Sequence, residues 1–319
     1  MTSKANAPGI SIVIVNWNSG PFLERSVRAI LDNAGECELI VVDNHSEDTS
    51  LSFADRLADR IDTVRNETNL GFAAANNLGW RRSSGELVLF LNPDAEALPG
   101  SIQPLACPLR DNPAIWASAG KLITPQGTPQ AGFNIRSFPT LGSVFAETFF
   151  LDEVAPHNPW TRKYRALDFD YESSQDVDQP AAACLMVRRS VLEELGGFDE
   201  SYRPAWFEDV DFCKRLRSGG GRIRFVPGAR FIHHGGSSLR MLCREEFLEY
   251  FHRNQALYFA RHHGEGAAAR VRTLAVAGLR LRAALSLVHP LVRGSGRADC
   301  ARLFWRAARR IAEAGEAIP

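Results

Sequence analysis

One apolar run in the first third of the chain constrains the fold more than any other feature. Leu87–Leu91 contains no charge and no turn former, and it ends abruptly at Asn92, Pro93 and Asp94. A short run of this kind is typical of a strand buried on both faces, as in a parallel sheet covered by helices. Pro93 cannot donate a ladder hydrogen bond, so we expect the strand to stop there. Asp94 is then expected at the carboxyl edge of the sheet, where open α/β folds bind ligands.

Similar runs before this strand predict the rest of the sheet. The strands predicted from β-branched and apolar runs are Ile10–Asn16, Leu39–Val42 and Ile61–Val64. Helical patterns separate them: one around Leu23, Val27, Ile30 and Leu31, one from Asp48 or Thr49 to about Arg60, and one from Gly71 to Arg82. This alternation of strands and helices predicts an α/β fold with a mostly parallel central sheet and right-handed crossovers.

The second half of the chain is less regular. The predicted strands are Ile115–Leu122, Ala181–Arg188, Ile223–Val226 and Ala229–Ile232. The predicted helices are one between Leu98 and Pro113, Val191–Leu195, one starting near Glu208, Glu245–His263, Ala267–Val288 and Ala298–Ala314. Pro290 and Gly294–Gly296 separate the last two. From Thr124 to Gln179 no period is clear, which predicts an irregular loop region on the substrate side.

Composition excludes several classes of protein. The chain has 319 residues, of which 45% are hydrophobic and 23% charged, as in a globular domain. Met1–Gly9 lacks the apolar segment of a signal peptide, and the longest apolar tracts are interrupted before they reach a membrane-spanning length. The six cysteines form no Cys-x-x-Cys pair, which argues against a zinc framework or a disulfide scaffold. We therefore expect a cytoplasmic protein.

The charge is unevenly distributed although the net charge is zero. From Arg261 to the end there are eleven arginines and four acids, a net charge of +7, which predicts an anionic partner surface. In the last helix Arg302, Arg306 and Arg309 form one stripe, and Leu303, Ala307 and Ile311 form an adjacent apolar stripe. This is the pattern of an interfacial helix and predicts peripheral contact with the inner membrane. The alternative is a helical cap that packs on the catalytic domain or on the second subunit of a homodimer.

Polar residues follow several predicted strands at the same edge of the sheet. Trp17 can stack on a base, and Asp43 can accept a hydrogen bond from a base or a ribose. Asp94 can hold a cation that binds a diphosphate. There is no Gly-x-Gly-x-x-Gly after the first strand and no P-loop motif, which argues against a dinucleotide site and a P-loop NTPase. Together these residues predict a mononucleotide site.

Two further groups of residues can carry chemistry. Glu208 and Asp209 lie in the first turn of a helix, where acids are stabilised by the helix dipole, but a carboxylate there can also act as a general base. Asp211 has Arg215 four residues further on and is expected to form an ion pair. His233 can complete a metal shell, or it can be a buried structural histidine.

These segments, taken in order, resemble the family 2 inverting glycosyltransferases with the GT-A fold, and among them the bacterial rhamnosyltransferase-like branch. The matching segments are Ser11–Asn18, Val41–Asn44, Asn69–Asn77, Leu91–Asp94, Ala183–Arg189, Gly196–Glu200, Trp206–Asp211 and His233–Ser238. Each segment alone is weakly specific, but the ordered set is highly specific and extends from about residue 10 to about residue 263.

The resemblance implies a role for each matching residue. The residues implied to line the nucleotide-sugar site are Val15, Trp17, Asp43, Asn69, Gly71, Asn76 and Asn92. Asp94 and His233 are implied to bind Mg²⁺ or Mn²⁺, Asp209 to act as the catalytic base beside Glu208, and Trp206 and Phe207 to lie on the acceptor side. Asn92 stands where the family more often has an acid, which lowers the negative charge expected around the metal. The asparagine form is similar to the rhamnosyltransferase-like branch, which favours dTDP-rhamnose as donor.

The implied reaction is a single displacement with inversion. A sugar, L-rhamnose as the best candidate, moves from a dTDP-, UDP- or GDP-sugar to a saccharide or lipid-linked acceptor in bacterial cell-surface polysaccharide synthesis. One alternative is a sugar-1-phosphate nucleotidyltransferase, although Asn16–Gly20 lacks the glycine-rich, basic loop that such an enzyme needs. The other is a noncatalytic nucleotide-sugar-binding protein. No nucleic-acid partner is expected.

The resemblance also predicts the domain organisation. Residues 1–263 form the GT-A domain, with a nucleotide-sugar-binding half over about 10–110 and an acceptor-binding half over about 111–263. Residues 264–319 form a basic amphipathic helical tail.

Overall fold

A computed structural model describes residues 9–235, 244–288 and 296–314, which divide into two compact units. The first unit contains residues 9–138, 165–204 and 208–235. The second contains residues 139–164, 205–207, 244–288 and 296–314. The second unit therefore includes the helix that ends at His263, whereas the sequence predicts a boundary after that residue.

The first half of the first unit is a parallel sheet. Its elements are β1 (Ile10–Asn16), α1 (Phe22–Asn33), β2 (Glu38–Asp43), β3 (Asp62–Arg65), α2 (Phe72–Arg82) and β4 (Leu87–Leu91). The strands lie in the order β3-β2-β1-β4, and all three pairings are parallel. Asn16 is in register with Asp43, and Ile14 with Leu91, so the carboxyl ends of β1, β2 and β4 meet at one edge. This part of the predicted fold is confirmed.

The strands of this sheet are apolar on both faces because each face packs on its own cluster. In β4, Leu89 and Leu91 belong to one buried cluster, and Val88 and Phe90 belong to another. Alternate side chains of a strand point to opposite faces, so a strand between two cores is a continuous apolar run.

The helix predicted from residues 48 or 49 to about 60 is wrong. The structure has turns and one 3₁₀ turn, Ala54–Leu57. Asp48 accepts hydrogen bonds from the backbone of Gly20 and Ser50, at 2.8 and 3.0 Å. The Asp48 side chain thus binds the loop after β1 and does not cap a helix. Its bond to the Ser50 backbone is local, and local side-chain bonds of this kind compete with helix formation.

The rest of the first unit extends the sheet. Its further elements are β5 (Ala95–Ala97), α3 (Gln103–Asp111), β6 (Ile115–Ile123), β7 (Ile135–Arg136), β8 (Asp176–Val177), β9 (Gln179–Pro180), β10 (Cys184–Arg188), α7 (Arg189–Leu195), α8 (Glu208–Ser218) and β11 (Arg222–His233). From β4 the order continues β10-β6-β11-β5, with β10 antiparallel to both neighbours and β11 parallel to β6. The sheet is thus mixed beyond β4.

Strand β11 replaces the two short strands that the sequence predicts. Its pairing with β6 shifts register between Val226 and Arg230, on either side of Pro227 and Gly228. Proline has no N–H to donate, so a bulge at this point lets one strand continue past it.

The second unit is helical. Its elements are α4 (Leu141–Thr148), α5 (Leu151–Val154), α6 (Pro159–Tyr164), α9 (Arg244–His263), α10 (Glu265–Val288) and α11 (Gly296–Ala314). The first three interrupt the region predicted to be irregular. Pro290 and Gly294, predicted to separate the tail helices, lie outside the described residues. No described helix combines the length and apolar character needed to cross a bilayer.

The apolar stripe predicted for the last helix is part of the core of this unit. Ala307 and Ile311 are buried with Leu279 of α10, and Leu303 packs against them. Apolar side chains that are buried against a neighbouring helix cannot insert into a membrane in this conformation. The stripe is therefore part of the packing within the second unit and is not an exposed apolar face.

Candidate functional site

An amide network holds the carboxyl end of β1. The side chain of Asn16 is fully buried, and its Nδ2 lies 2.8 Å from Asp43 Oδ1. The same nitrogen faces the hydroxyls of Ser46 and Ser50 at 2.9 and 2.8 Å, and the Asn16 oxygen accepts a hydrogen bond from Ser19. Asp43 also accepts from the Ser46 backbone at 3.3 Å. This network fixes the Asp43 carboxylate at the edge of the sheet.

A second amide network joins β2 to the loop before α2. Asn44 donates to Asn69 Oδ1 at 2.7 Å and accepts from Asn66 Nδ2 at 3.1 Å and from the Leu70 backbone at 2.9 Å. Asn69 Oδ1 also accepts from the Gly71 backbone at 2.9 Å. Asn69, predicted to line the nucleotide site, thus shapes the loop that borders this edge.

The start of α2 requires a glycine. Gly71 has a φ of 87°, and a Cβ at this position would lie 2.9 Å from the carbonyl oxygen of Pro204. The Phe72 backbone donates to that oxygen at 2.7 Å. Asn76 is buried and donates to the Phe72 carbonyl of its own helix at 2.9 Å. Both Gly71 and Asn76 therefore have structural functions at this edge.

Two other residues predicted for the nucleotide site lie at the end of β1. Val15 is buried in a small cluster with Val42 and Ala75. Trp17 is half-buried just after the strand. The carboxyl edge therefore combines the Trp17 ring and the Asp43 carboxylate with two rigid loops.

The topology brings Asp94 and His233 together. Strand β5 pairs antiparallel with β11, with Ala95 opposite His233, and the His234 backbone donates to the Asp94 carbonyl at 3.0 Å. Asp94 and His233 are each only 3% exposed. Asp94 Oδ1 lies 3.3 Å from His233 Nε2, and Asn92 Nδ2 lies 3.5 Å from the same nitrogen. Of the predicted His233–Ser238 motif, residues 236–238 lie outside the described residues.

These atoms fit a divalent cation. Two ligands bound to one Mg²⁺ or Mn²⁺ lie about 3 Å apart, because each bond is roughly 2 Å long. Over residues 9–235, 244–288 and 296–314, no cluster of three or more histidine, cysteine or acidic side chains could hold a metal. Asp94 and His233 would be the protein ligands of such a cation, which usually takes its other ligands from phosphate and water at nucleotide sites.

Asp209 is anchored next to the end of β4 by a short backbone segment. Its Oδ2 accepts from the Ala182 backbone at 3.3 Å, and its Oδ1 accepts from the Val210 backbone at 2.8 Å. The neighbouring carbonyl of Ala183 accepts from the Asn92 backbone at 3.1 Å. One dipeptide thus contacts both the Asp209 carboxylate and the residue that follows β4.

Burial changes the acidity of both carboxyl groups at the start of α8. Glu208 is 6% exposed, and among the described residues its Oε2 has no hydrogen-bond partner. Desolvation, followed by repulsion from Asp209, raises the Glu208 pKa well above its ordinary value. Desolvation also raises the Asp209 pKa, although the hydrogen bond from the Ala182 backbone and the charge of Arg136 oppose it. A raised carboxyl pKa suits a group that accepts a proton near neutral pH.

Asp211, the third acid in the first turn of α8, forms the ion pair that the sequence predicts. Its Oδ2 accepts from Arg215 Nε at 2.7 Å, and its Oδ1 accepts from the Tyr202 hydroxyl at 3.3 Å. Arg215 also donates to the carbonyls of Leu195 and Gly197, each at 2.8 Å. The pair of Asp211 and Arg215 therefore joins α8 to the end of α7 through Arg215.

Trp206 and Phe207, predicted for the acceptor side, belong to the second unit. Phe207 is buried, with ring centroids 5.4 Å from Phe251 and 5.8 Å from Tyr258. Trp206 is half-buried and packs edge-on against Phe247 at 4.9 Å. Phe207 thus has a packing function, whereas Trp206 keeps part of its ring accessible.

Three residues near the site were not predicted. Gln130 contacts both the ring and the backbone of His233, at 2.8 and 2.6 Å. Phe133 stacks on the same imidazole with centroids 5.1 Å apart, and Arg136 contributes positive charge near Asp209. All three lie in the stretch without a clear sequence period, so no pattern indicates them.

Comparisons with known proteins add independent findings. A model of the family described as "Glycosyl transferase family 2" matches residues 11–196. The N-acetylglucosaminyl-diphospho-decaprenol L-rhamnosyltransferase of Mycobacterium tuberculosis is 30% identical over 302 residues, which are 90% of this chain and 94% of that protein. The hexosyltransferase Agl10 of Haloferax volcanii is 28% identical and covers 65% of this chain and 61% of its own length.

Two solved structures resemble this chain along most of their length. S. aureus TarS in complex with UDP-GlcNAc has a TM-score of 0.53 at 16% identity, covering 96% of this chain and 92% of that one. The mannosyltransferase PcManGT of Pyrobaculum calidifontis, solved with GDP-Man and Mn²⁺, has a TM-score of 0.52 at 16% identity, covering 98% and 88%. At these identities the likeness concerns the fold.

Proposed function

We propose a specific reaction for this chain, which belongs to glycosyl transferase family 2 and is a glycosyltransferase with the GT-A fold. The family, the fold and the class of enzyme are those that the sequence predicts. The proposal concerns what these similarities leave open: the donor, the acceptor, the metal and the function of each site residue.

The acceptor hydroxyl attacks the anomeric carbon of a nucleotide-diphospho-sugar in one displacement. Asp209 takes the hydroxyl proton as the new C–O bond forms, and the bond to the diphosphate oxygen breaks with inversion at that carbon. Asp94 and His233 would hold a divalent cation, whose positive charge would stabilise the leaving diphosphate. Trp17 and Asp43 orient the base and the ribose.

One observation carries this assignment. The dipeptide Ala182–Ala183 donates to the Asp209 carboxylate and accepts from the Asn92 backbone, so the base and the end of β4 are held by the same short segment. A base and a diphosphate site must lie on either side of one anomeric carbon for an in-line displacement. A fixed link between them supports that geometry.

We propose L-rhamnose from dTDP-rhamnose as the donor. The Mycobacterium tuberculosis relative is by its name an L-rhamnosyltransferase that acts on a diphospho-decaprenol acceptor, and it aligns with 90% of this chain. TarS and PcManGT were solved with UDP-GlcNAc and GDP-Man, so the fold itself accepts several nucleotides. The acceptor is then a saccharide on a lipid diphosphate at the cytoplasmic face of the membrane.

The donor is tested by thermal shift and by transfer. With Mn²⁺ present, dTDP-rhamnose should raise the melting temperature more than UDP- or GDP-sugars, because base and sugar both contribute contacts. Transfer of radiolabelled rhamnose to a synthetic GlcNAc-diphospho-polyprenol completes the test. Stabilisation by another nucleotide sugar alone would reject this donor and keep the glycosyltransferase class.

A lipid-linked acceptor also favours contact with a membrane, and we propose a different surface for it than the apolar stripe of α11. Trp305 of α11 is 57% exposed, and the Arg280 guanidinium of α10 lies 5.5 Å from its ring centroid. Arg302, Arg306 and Arg309 lie on the same exposed face of α11 as Trp305. Tryptophan flanked by arginines is the composition of an interfacial surface.

This membrane surface is tested by sedimentation with vesicles that contain anionic phospholipid. Trp305→Ala should reduce the bound fraction, and added salt should reduce it further because the arginine contribution is screened. Trp160→Ala is the matched control, since Trp160 is an exposed tryptophan of the same unit that lies on α6. Equal losses for the two variants would reject this surface.

A further inference from the structure

We propose that Gln130 and Phe133 are positioning residues of the cation site, which hold the His233 imidazole in one tautomer and one plane. In that state His233 Nε2 presents its lone pair beside Asp94. The inference rests on the proposed metal function of His233. It adds a reason why this histidine can bind a cation without first reorganising.

The hydrogen bonds of Gln130 determine the tautomer. Its Nε2 lies 2.6 Å from the carbonyl oxygen of His233, and its Oε1 lies 2.8 Å from His233 Nδ1. A carbonyl oxygen only accepts, so the amide nitrogen must face it and the amide oxygen must face the ring. Because the amide oxygen also only accepts, Nδ1 must carry the proton. In a neutral imidazole this leaves Nε2 with a lone pair available to a cation.

One neighbour of Nε2 agrees with this tautomer, and the other is an acceptor that needs a cation between it and Nε2. Asn92 Nδ2, a donor, lies 3.5 Å away, and Asp94 Oδ1, a carboxylate oxygen, lies 3.3 Å away. With the proton on Nδ1, two acceptor atoms face each other inside a buried site. A cation between them removes their repulsion, and the donated Nδ1–H makes the imidazole a better ligand.

Phe133 fixes the plane of the ring. Its ring stacks on the imidazole with an interplanar angle of 9° and centroids 5.1 Å apart. The turn that carries Gln130 and Phe133 is itself held on β6, because the Gln130 backbone donates to the Leu122 carbonyl at 3.0 Å. Asn134 closes this turn, accepting from the Leu122 backbone at 2.9 Å and donating to the Gly120 carbonyl at 3.0 Å.

The test measures Mn²⁺ binding to the full chain by electron paramagnetic resonance, with dTDP and, in a separate series, UDP. Gln130→Met keeps the side-chain length and removes both hydrogen-bonding groups, so we expect about 10–100-fold weaker Mn²⁺ binding. Gln130→Glu keeps an acceptor for Nδ1–H and should recover most of the affinity. Phe133→Leu should have a smaller effect. Gln175→Met, at a glutamine more than 40 residues away in sequence, is the control.

A second measurement reports the tautomer without metal or turnover. In ¹⁵N-histidine spectra, the signals that disappear in His233→Ala should be those of an Nδ1-protonated ring in the wild type and in Gln130→Glu. In Gln130→Met these signals should change to a mixture of tautomers. A merely structural function of Gln130 would lower stability without changing the tautomer.

Three outcomes would overturn the proposal, and they differ in what they reject. If His233→Ala leaves Mn²⁺ affinity unchanged, His233 is not a ligand, and both its metal function and the positioning function are rejected. If His233→Ala weakens binding but Gln130→Met does not, the metal site stands and the positioning function alone is rejected. An Nε2-protonated ring in the wild type would also reject it.

Discussion

Two polar clusters lie at the carboxyl ends of the strands, and they differ in how their hydrogen-bonding groups are satisfied. The amide cluster, formed around Asn16 and Asn44, binds its own loops through short bonds on both side chains. The acid cluster comprises two pairs, Asp94 with His233 and Glu208 with Asp209, which the Ala182–Ala183 segment links. It contains a carboxylate oxygen 3.3 Å from an imidazole nitrogen and, at Glu208, a buried oxygen without a hydrogen-bond partner among the described residues.

The difference indicates what each cluster is for. A buried polar group that lacks a partner costs about 1–3 kcal/mol, so a protein retains one only where something else compensates. In the amide cluster the compensation comes from the chain itself, which rigidifies the edge. For the acid cluster, the proposed function supplies a cation, a proton or a substrate as the compensation. Four substitutions test this division, from the largest expected effect to the smallest.

Asp209→Asn tests the acid cluster most severely. An amide cannot accept the acceptor proton, so we expect turnover to fall by about 10²–10⁴-fold while donor affinity is unchanged. Steady-state transfer and calorimetric donor titration measure the two quantities. Asp211→Asn, two residues away, is the matched control and should lower the melting temperature but leave turnover of the folded enzyme unchanged. Retained turnover in Asp209→Asn would remove it as the base.

Asp94→Ala tests the cation side of the same cluster. With one of two protein ligands lost, the affinity for dTDP in the presence of Mn²⁺ should fall by at least about tenfold, or ~1.4 kcal/mol. The affinity measured with EDTA should not change, because no cation contributes there. Equal calorimetric affinities for wild type and variant with Mn²⁺ would contradict the metal function.

Asn16→Ala tests the amide cluster, and here stability rather than affinity should respond. The buried partners Asp43 and Ser50 and the half-buried Ser46 lose their donor, so the free energy of unfolding should fall by about 1–3 kcal/mol. Urea denaturation measures this change. Asn66→Ala is the control, since that side chain is only half-buried and donates to Asn44 alone in this network. If the free energy of unfolding falls equally in the two variants, Asn16 does not hold this hydrogen-bond network together.

Glu208→Gln tests the buried carboxyl through pH. The folded state raises the Glu208 pKa, so it binds a proton that the unfolded chain has already lost. Wild-type stability should therefore fall as the pH rises from the ordinary glutamate pKa to the folded pKa, by about 1.4 kcal/mol for each pH unit between them. Glu208→Gln should lack this fall. Parallel pH profiles of melting temperature for the two proteins would show that Glu208 is not destabilised when charged.

The structure of the amide cluster could be predicted from the sequence only in part. The runs of β1, β2 and β4 are apolar because each strand is buried on both faces, so their positions and the polar residues after them follow from the sequence. The helix predicted up to Arg60 does not form, because Asp48 and Ser50 bind tertiary partners that no local pattern reveals. Their distances in sequence from Gly20 and Asn16 exceed any helical or strand period.

The prediction of the acid cluster depended more on the resemblance to a family than on the periodicity of the sequence. Glu208, Asp209 and Asp211 are three acids in one helical turn. The spacing predicts the ion pair of Asp211 with Arg215, but only the structure shows that Glu208 is buried and that Asp209 accepts from the Ala182 backbone. Gln130 and Phe133 were missed because a two-residue strand and a turn have no period, and Phe207 is buried because α9 packs on it. These outcomes depend on tertiary contacts.

The pairing of β5 with β11 has a consequence for synthesis of the protein. Asn92 and His233 are 141 residues apart in the chain, so the proposed cation site cannot form until β11 has been made and has joined the sheet. At about 5–20 residues per second, the ribosome needs on the order of ten seconds or more to make that interval. During this time the emerging chain can fold its nucleotide edge but lacks a charge partner for a diphosphate. Under the proposed function, binding of the donor with metal therefore requires that the whole first unit has been synthesised and folded.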